Sequence, residues 1–174
     1  MFFKKYKLLF ISFFIFVIGL STDQFTKNYA INTIQNLERK TNYIHHHIPV
    51  FKSFNIVLVH NKGVSFGMFN NNNNITKYIL FSVIIVITLY VAYLIFKSKT
   101  IYENIPYSMI FTGAIGNIID RIRYGSVVDF LDFYIMDYHW PSFNIADSFV
   151  VLGVFLIIIF DITNKNKKTH NNLK

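Results

Sequence analysis

A few ionisable residues stand within or at the ends of long apolar runs: Asp23, Lys27, Asp120, Arg121, Asp147 and Asp161. Charges in such places are costly and mark function by default. Counted from Leu8, Tyr107 and Phe160 at the inner ends of three apolar runs, Asp23 lies fifteen residues along its run, and Asp120 and Asp147 thirteen along theirs. At 1.5 Å per residue, all three carboxylates stand at a common depth of about 20–22 Å. Asp120 ends one run and Asp147 opens the next, so antiparallel neighbours would bring them face to face. Two carboxylates a few ångström apart do not both ionise easily and can share a proton. One then serves as base toward a water, while the other donates to a carbonyl oxygen. That is aspartic peptidase chemistry, and it requires neither metal nor thiol.

A blander reading stands beside it. Asp120 is then no more than an ion-pair partner for Arg121, and Asp147 a helix cap, since Asp is favoured at helix N-termini. Adjacent helical residues point about 100° apart, which weakens the pairing with Arg121. Other chemistries find less footing. The chain has no cysteine, which removes disulfides, thiolate nucleophiles and Cys-ligated zinc. His45, His46 and His47 are consecutive, so in an extended segment they point alternately and bind one ion poorly. No H-E-x-x-H is present, and no apolar run holds a histidine for serine-type proteolysis. No metal or cofactor is expected.

The elements that must position these groups are membrane spans. Hydrophobic residues make up 53% of the 174 and charged residues 15%, well below a soluble domain's roughly 25%. Runs of about 8–30, 78–96, 105–122 and 145–162 approach the roughly 20 apolar residues a spanning helix needs. The first could be a cleavable signal, but Asp23-Gln24 stands where a cleavage site would fall, and an uncleaved span is expected. Lys4, Lys5 and Lys7, then Lys97 and Lys99, then Lys165, Lys167, Lys168 and Lys174 fall on one side of a four-span chain. By the positive-inside rule that side, with both termini, is cytoplasmic. The net charge of +8 suits anionic headgroups and forms no stripe for nucleic acid. The expected fold is an all-α membrane bundle of four transmembrane helices, one integral domain over 1–174. A small extracytoplasmic β-rich element over about 31–77 completes it.

Within that element the run Phe54–Val59 is rich in β-branched residues, and Gly63 and Gly67 punctuate the segment after it. A strand-rich unit over Asn55–Phe69 is expected, with Asn61 and Gly63 at a turn and Phe66, Met68 and Phe69 as an apolar edge. The five asparagines Asn70–Asn74 read as a flexible tip. Thr112, Gly113, Ala114 and Gly116 are small residues ahead of Asp120 that permit close helix approach.

Four motifs in order then resemble those of the lipoprotein signal peptidases, or signal peptidase II. They are Asp23-Gln24-x-x-Lys27, Asn61-x-Gly63-x-x-Phe66-Gly67, a long motif from Gly113 to Phe130, and Phe143-Asn144-x-Ala146-Asp147. The long one reads Gly113-Ala114-x-Gly116-Asn117-x-x-Asp120-Arg121-x-x-x-Gly125-x-Val127-x-Asp129-Phe130. Two small residues depart from the pattern: Thr112 stands where glycine is usual, and Ser65 where alanine is. The resemblance implies that Asp120 and Asp147 are the catalytic pair. Asp23, Lys27, Asn61, Gly63, Asn117, Arg121, Asp129 and Asn144 are implied to bind substrate or support the site.

The implied substrate is a prolipoprotein cut just before a diacylglyceryl-modified cysteine, in a bacterial inner membrane. Partners are then that precursor and membrane lipids, with no nucleic acid, and a monomer is expected. For several of these residues a structural role is the competing reading: Lys27 neutralising Asp23 one turn earlier, Asn117 orienting a carboxylate, Gly63 serving only as a turn. A small transporter with an Asp proton relay is the alternative from another class. A relay would spread its ionisable groups through the bilayer, whereas here they cluster at one level, with only Asp161 near the inner edge. A non-catalytic assembly factor would tolerate Asp-to-Asn changes.

Overall fold

The computed structural model of the chain describes residues 2–41, 47–63 and 74–171. Four helices alternate with short strands: α1 (Phe2–Thr41), β1 (His47–Phe51), β2 (Phe54–Asn61), α2 (Asn74–Lys97), α3 (Ile101–Tyr124), β3 (Val127–Ile135), β4 (Tyr138–His139) and α4 (Ile145–Asn171). Three stretches among the described residues are long and apolar enough to cross a membrane: Phe3–Thr41, Tyr78–Lys97 and Ile145–Thr163. Their outward faces carry large apolar residues such as Phe13, Val86 and Phe155. That suits lipid better than water.

Helix α3 is not among those three, because it carries Glu103, Asn104, Asn117, Asp120, Arg121 and Arg123 along its length. It packs against all three other helices, most extensively against α4. Its inner surface is polar. Asn104 is fully buried and accepts from Ser12 of α1 at 3.0 Å, and Ser108 donates to Ser12 at 2.9 Å. Hydrogen bonds of this kind tie helices together where apolar burial gives no drive.

Helix α1 continues past the expected end of the first span near Ala30. Its 40 residues make it about 60 Å long, twice a bilayer core of about 30 Å. The extension buries Ala30 and Ile34 where α1 meets β2 and β3.

The sheet has the order β1-β2-β3-β4 and is antiparallel throughout. β1 and β2 come from the expected segment. β3 and β4 come from 127–139, which was expected only to join two spans. The run Val127-Val128-Asp129-Phe130-Leu131 has strand-forming residues, and its pairing with β2 makes it a strand. The β2–β3 register sets Asn61 opposite Val127 and Phe54 opposite Phe133. Phe66, Gly67, Met68 and Phe69 lie outside the described residues, as do His45, His46, Ser65 and 70–73 of the asparagine run. Asn74 opens α2.

Small residues let the helices touch. A Cβ at Gly113 would collide with the carbonyl oxygen of Ala146 in α4, and one at Gly116 would come within 2.7 Å of Asp23 Oδ2. Thr112 fits because its partner is Gly19, whose missing side chain leaves room for the threonine methyl. Gly113→Ala should therefore push α3 and α4 apart and destabilise the protein by about 1–3 kcal/mol. Activity should fall with it, since Ala146 adjoins Asp147. Equal denaturant midpoints for variant and parent in one detergent would contradict this close approach.

Candidate active site

Asp23, Lys27 and Asp120 form one buried ionic group. The Lys27 ammonium lies 2.8 Å from Asp23 Oδ2 and 2.8 Å from Asp120 Oδ2, and is 2% exposed. Asp23 and Lys27 share a helix face because they are four residues apart. Asp120 reaches them from α3. Its oxygens are further taken: Oδ1 accepts from Gln24 Nε2 at 3.1 Å, and Oδ2 accepts from the Val128 backbone N–H at 3.1 Å. The other Asp23 oxygen accepts from the Ala146 backbone N–H at 2.8 Å, so a side chain of α1 caps the start of α4.

Asn144 is the N-cap of α4 and closes a reciprocal box with Asp147. The Asp147 N–H donates to Asn144 Oδ1 at 2.9 Å, and the Asn144 N–H donates to Asp147 Oδ2 at 3.3 Å. Asn117 Nδ2 donates to Asp147 Oδ1 at 2.7 Å. The N-cap is thus Asn144 and not Asp147 as expected; Asp147 completes the box from the first turn, its carboxylate half-exposed at the end of the bundle.

Asp129 comes to the same place on β3. Its Oδ1 accepts from Asn144 Nδ2 at 2.7 Å and its Oδ2 from Asn61 Nδ2 at 3.0 Å. It is buried, and burial pushes its carboxyl up to about 6, with the nearby Asp147 charge adding to the rise. Arg121 stands in the field of Asp147, Asp129 and Asp120, and its Nη1 donates to the Asn117 carbonyl at 3.1 Å.

All the expected site residues therefore meet, in two groups joined by Asn117, whose Oδ1 accepts from Lys27 Nζ at 3.3 Å and from Asn144 Nδ2 at 3.2 Å. Asp120 sits with Asp23 and Lys27. Asp147 sits with Asp129, Asn117 and Asn144. The expectation that Asp120 faces Asp147 as a proton-sharing partner is at odds with this arrangement. Asp120 is ion-paired to Lys27, whereas among the described residues neither Asp147 nor Asp129 has an ion pair. The pairing of Asp120 with Arg121 is not seen. The overlooked signal was Val127-Val128-Asp129-Phe130: in a strand, alternation turns Asp129 opposite to Val128. Among the described residues, no cluster of three or more His, Asp or Glu is placed to hold a metal ion.

Gly63 has φ +79°, and its N–H donates to Asn61 Oδ1 at 2.9 Å. Asn61 thus fastens the turn with one end of its amide and Asp129 with the other. Asn61→Ala should lower activity about tenfold or more, a hydrogen bond to a charged group being worth about 1.5–3 kcal/mol. Loss of that donor should also raise the Asp129 pKa further, moving the alkaline limb of the pH–rate profile upward. Gly63→Val should strain the turn by about 1–2 kcal/mol. Parent kinetics and an unshifted profile in Asn61→Ala would remove Asn61 from the site.

A polar site at the membrane end of a helical bundle, roofed by a small sheet, is the arrangement of an integral membrane enzyme. A solved bacterial membrane enzyme superposes with a TM-score of 0.70 at 32% identity, over 91% of each chain. A second gives 0.65 at 33% identity, covering 86% of this chain and 90% of the other. The model of the family described as signal peptidase (SPase) II matches residues 15–163. A lipoprotein signal peptidase of Buchnera aphidicola is 35% identical over 157 residues, 89% of this chain and 94% of the relative. One of Alteromonas mediterranea is 34% identical over 152 residues, 86% and 79% respectively. The chain belongs to the signal peptidase II family. It is a peptidase, and a proton-relay transporter finds no support.

Proposed function

We propose that the chain is an intramembrane aspartic endopeptidase that removes the signal peptide from diacylglyceryl-modified prolipoproteins, cutting before the lipidated cysteine, with Asp129 and Asp147 as the proton-sharing pair. The observation that carries the pair is Asn144. One residue donates to both carboxylates, through its side chain to Asp129 and its backbone to Asp147. Asp147 lies in the first turn of α4, where negative charge is favoured. It acts as base toward the attacking water. Asp129 keeps its proton to about pH 6 and donates it to the scissile carbonyl oxygen. Water adds to the carbonyl carbon to give a gem-diol; as the C–N bond breaks, the proton taken by Asp147 passes to the leaving amine and a gem-diol hydroxyl returns its proton to Asp129. Asp120, Asp23 and Lys27 position α1, α3 and α4 around the pair.

In this reading α3 crosses the membrane as a fourth span, screened from lipid by its neighbours, and its polar residues face inward. The sheet lies on the extracytoplasmic side of a bacterial inner membrane, both termini are cytoplasmic, and the enzyme works as a monomer. A lipid-anchored cysteine sits at the membrane interface, and in this reading the ends of α3 and α4 that carry the carboxylates lie there too.

The experiment offers purified enzyme in vesicles a precursor with and without diacylglyceryl on its cysteine. Only the lipidated form should be cleaved, with no loss in chelator. Because the proton on Asp129 is needed, kcat/KM should fall as pH rises through about 6, approaching tenfold per unit beyond it. Equal turnover of both precursors would sink the substrate assignment, and a flat alkaline limb would sink Asp129 as the acid.

A further inference from the structure

The end of the sheet remote from α3 is apolar and uncovered. Two turns meet there. The β1–β2 turn at Lys52-Ser53 lies beside the β3–β4 turn at Met136-Asp137, since Phe54 pairs with Phe133 and the Tyr134 N–H donates to the Ser53 carbonyl at 3.1 Å. Both turns contain a residue with positive φ, 76° at Ser53 and 55° at Met136. Ile135 is 74% exposed, Met136 89%, Tyr138 70% and Trp140 61%. A cluster of that kind standing in water would be an aggregation hazard.

From this end a row of rings leads back to the bundle. Phe51 and Phe54 lie 5.1 Å apart by ring centroids, Phe54 and Phe133 4.7 Å, and Phe133 and Phe143 5.9 Å. Phe143 precedes Asn144, the cap of α4, and Ile145 opens a candidate span. The apolar surface is thus continuous from the sheet tip to a helix built for lipid. The β2–β3 register shifts between Ile56 and Val59, and the Phe130 and Leu131 N–H groups both donate to the Phe143 carbonyl, so β3 is itself irregular beside Asp129. Beyond that irregularity Phe133 and Ile135 share one face of β3.

We infer that the paired turns of this sheet insert into the headgroup–acyl boundary of the bilayer, a second lipid contact apart from the helices. Trp, Tyr and Phe beside apolar residues are the types enriched at that boundary. Elements of this kind sink about 5–10 Å into it. The tip carries one cation, Lys52, and one anion, Asp137, so a zwitterionic lipid surface suffices.

The sequence supplies clean probes, because Trp140 is the only tryptophan and there is no cysteine. The full chain is reconstituted in phosphatidylcholine vesicles whose lipids carry bromine near the glycerol end of the acyl chains. Trp140 emission should fall roughly twofold or more relative to unbrominated vesicles, as expected for an interfacial indole, and aqueous iodide should change it little. A spin label on Met136→Cys should collide with oxygen in preference to a water-soluble nickel chelate. Strong iodide quenching, with a label open to the chelate, would put the tip in water and overturn the inference. Shielding from both bromine and iodide that disappears on dilution in lipid would identify a second copy as the cover and overturn it equally.

Discussion

Asp129→Asn should lower kcat about a thousandfold, within the 10²–10⁴ range of a lost general acid or base. Asp147→Asn should do the same, because neither amide can take or give the shared proton. Both variants should still insert, fold and capture lipidated precursor with KM within a few-fold of the parent. Asparagine keeps the volume of aspartate and one of its two acceptor oxygens, so at each position one of the two donors keeps its bond. Asp120→Asn is the informative contrast. It weakens the Lys27 pair, so its unfolding midpoint should drop, while the folded fraction keeps a measurable rate. An Asp120→Asn protein as stable as the parent and as inactive as Asp129→Asn would return Asp120 to the chemistry.

The largest loss of stability is expected from Lys27→Met. Methionine fits the space of the lysine stem but leaves two buried carboxylates, Asp23 and Asp120, without their cation. Breaking a buried pair from one side costs about 3–5 kcal/mol, far more than the net worth of the pair itself. Repeating the change with Asp23→Asn and Asp120→Asn removes both orphaned charges and should recover most of that loss. Denaturant midpoints in a single detergent, followed by activity at a temperature where each variant is folded, make the comparison. An unchanged midpoint for Lys27→Met would show that the ammonium is not what holds α1 against α3.

Features legible in the sequence were those governed by neighbours along the chain. Apolar runs announced the helices, and β-branched residues announced β2. The spacing of Asp23 and Lys27 announced their pairing, because one helical turn brings residues four apart together whatever surrounds them. A helix start near Asp147 was readable for the same reason, although the capping residue is Asn144. The order of the four motifs was enough to indicate the family.

Tertiary structure decided which carboxylates lie together. Asp120 and Asp147 were matched by their depth along two helices, and depth is a one-dimensional measure. It does not register that Lys27 reaches across from α1 to occupy Asp120. Nor does it register that β3, held in register by β2, brings Asp129 back beneath Asn61 and Asn144. Strand pairing and interhelical ion pairs join residues far apart in sequence, so local propensity carries no record of them. Whether a carboxylate is a structural anion or an acid depends on the donors, cations and burial around it. In the proposed mechanism a lysine from the first helix makes Asp120 the former, and a strand folded back over the bundle makes Asp129 the latter.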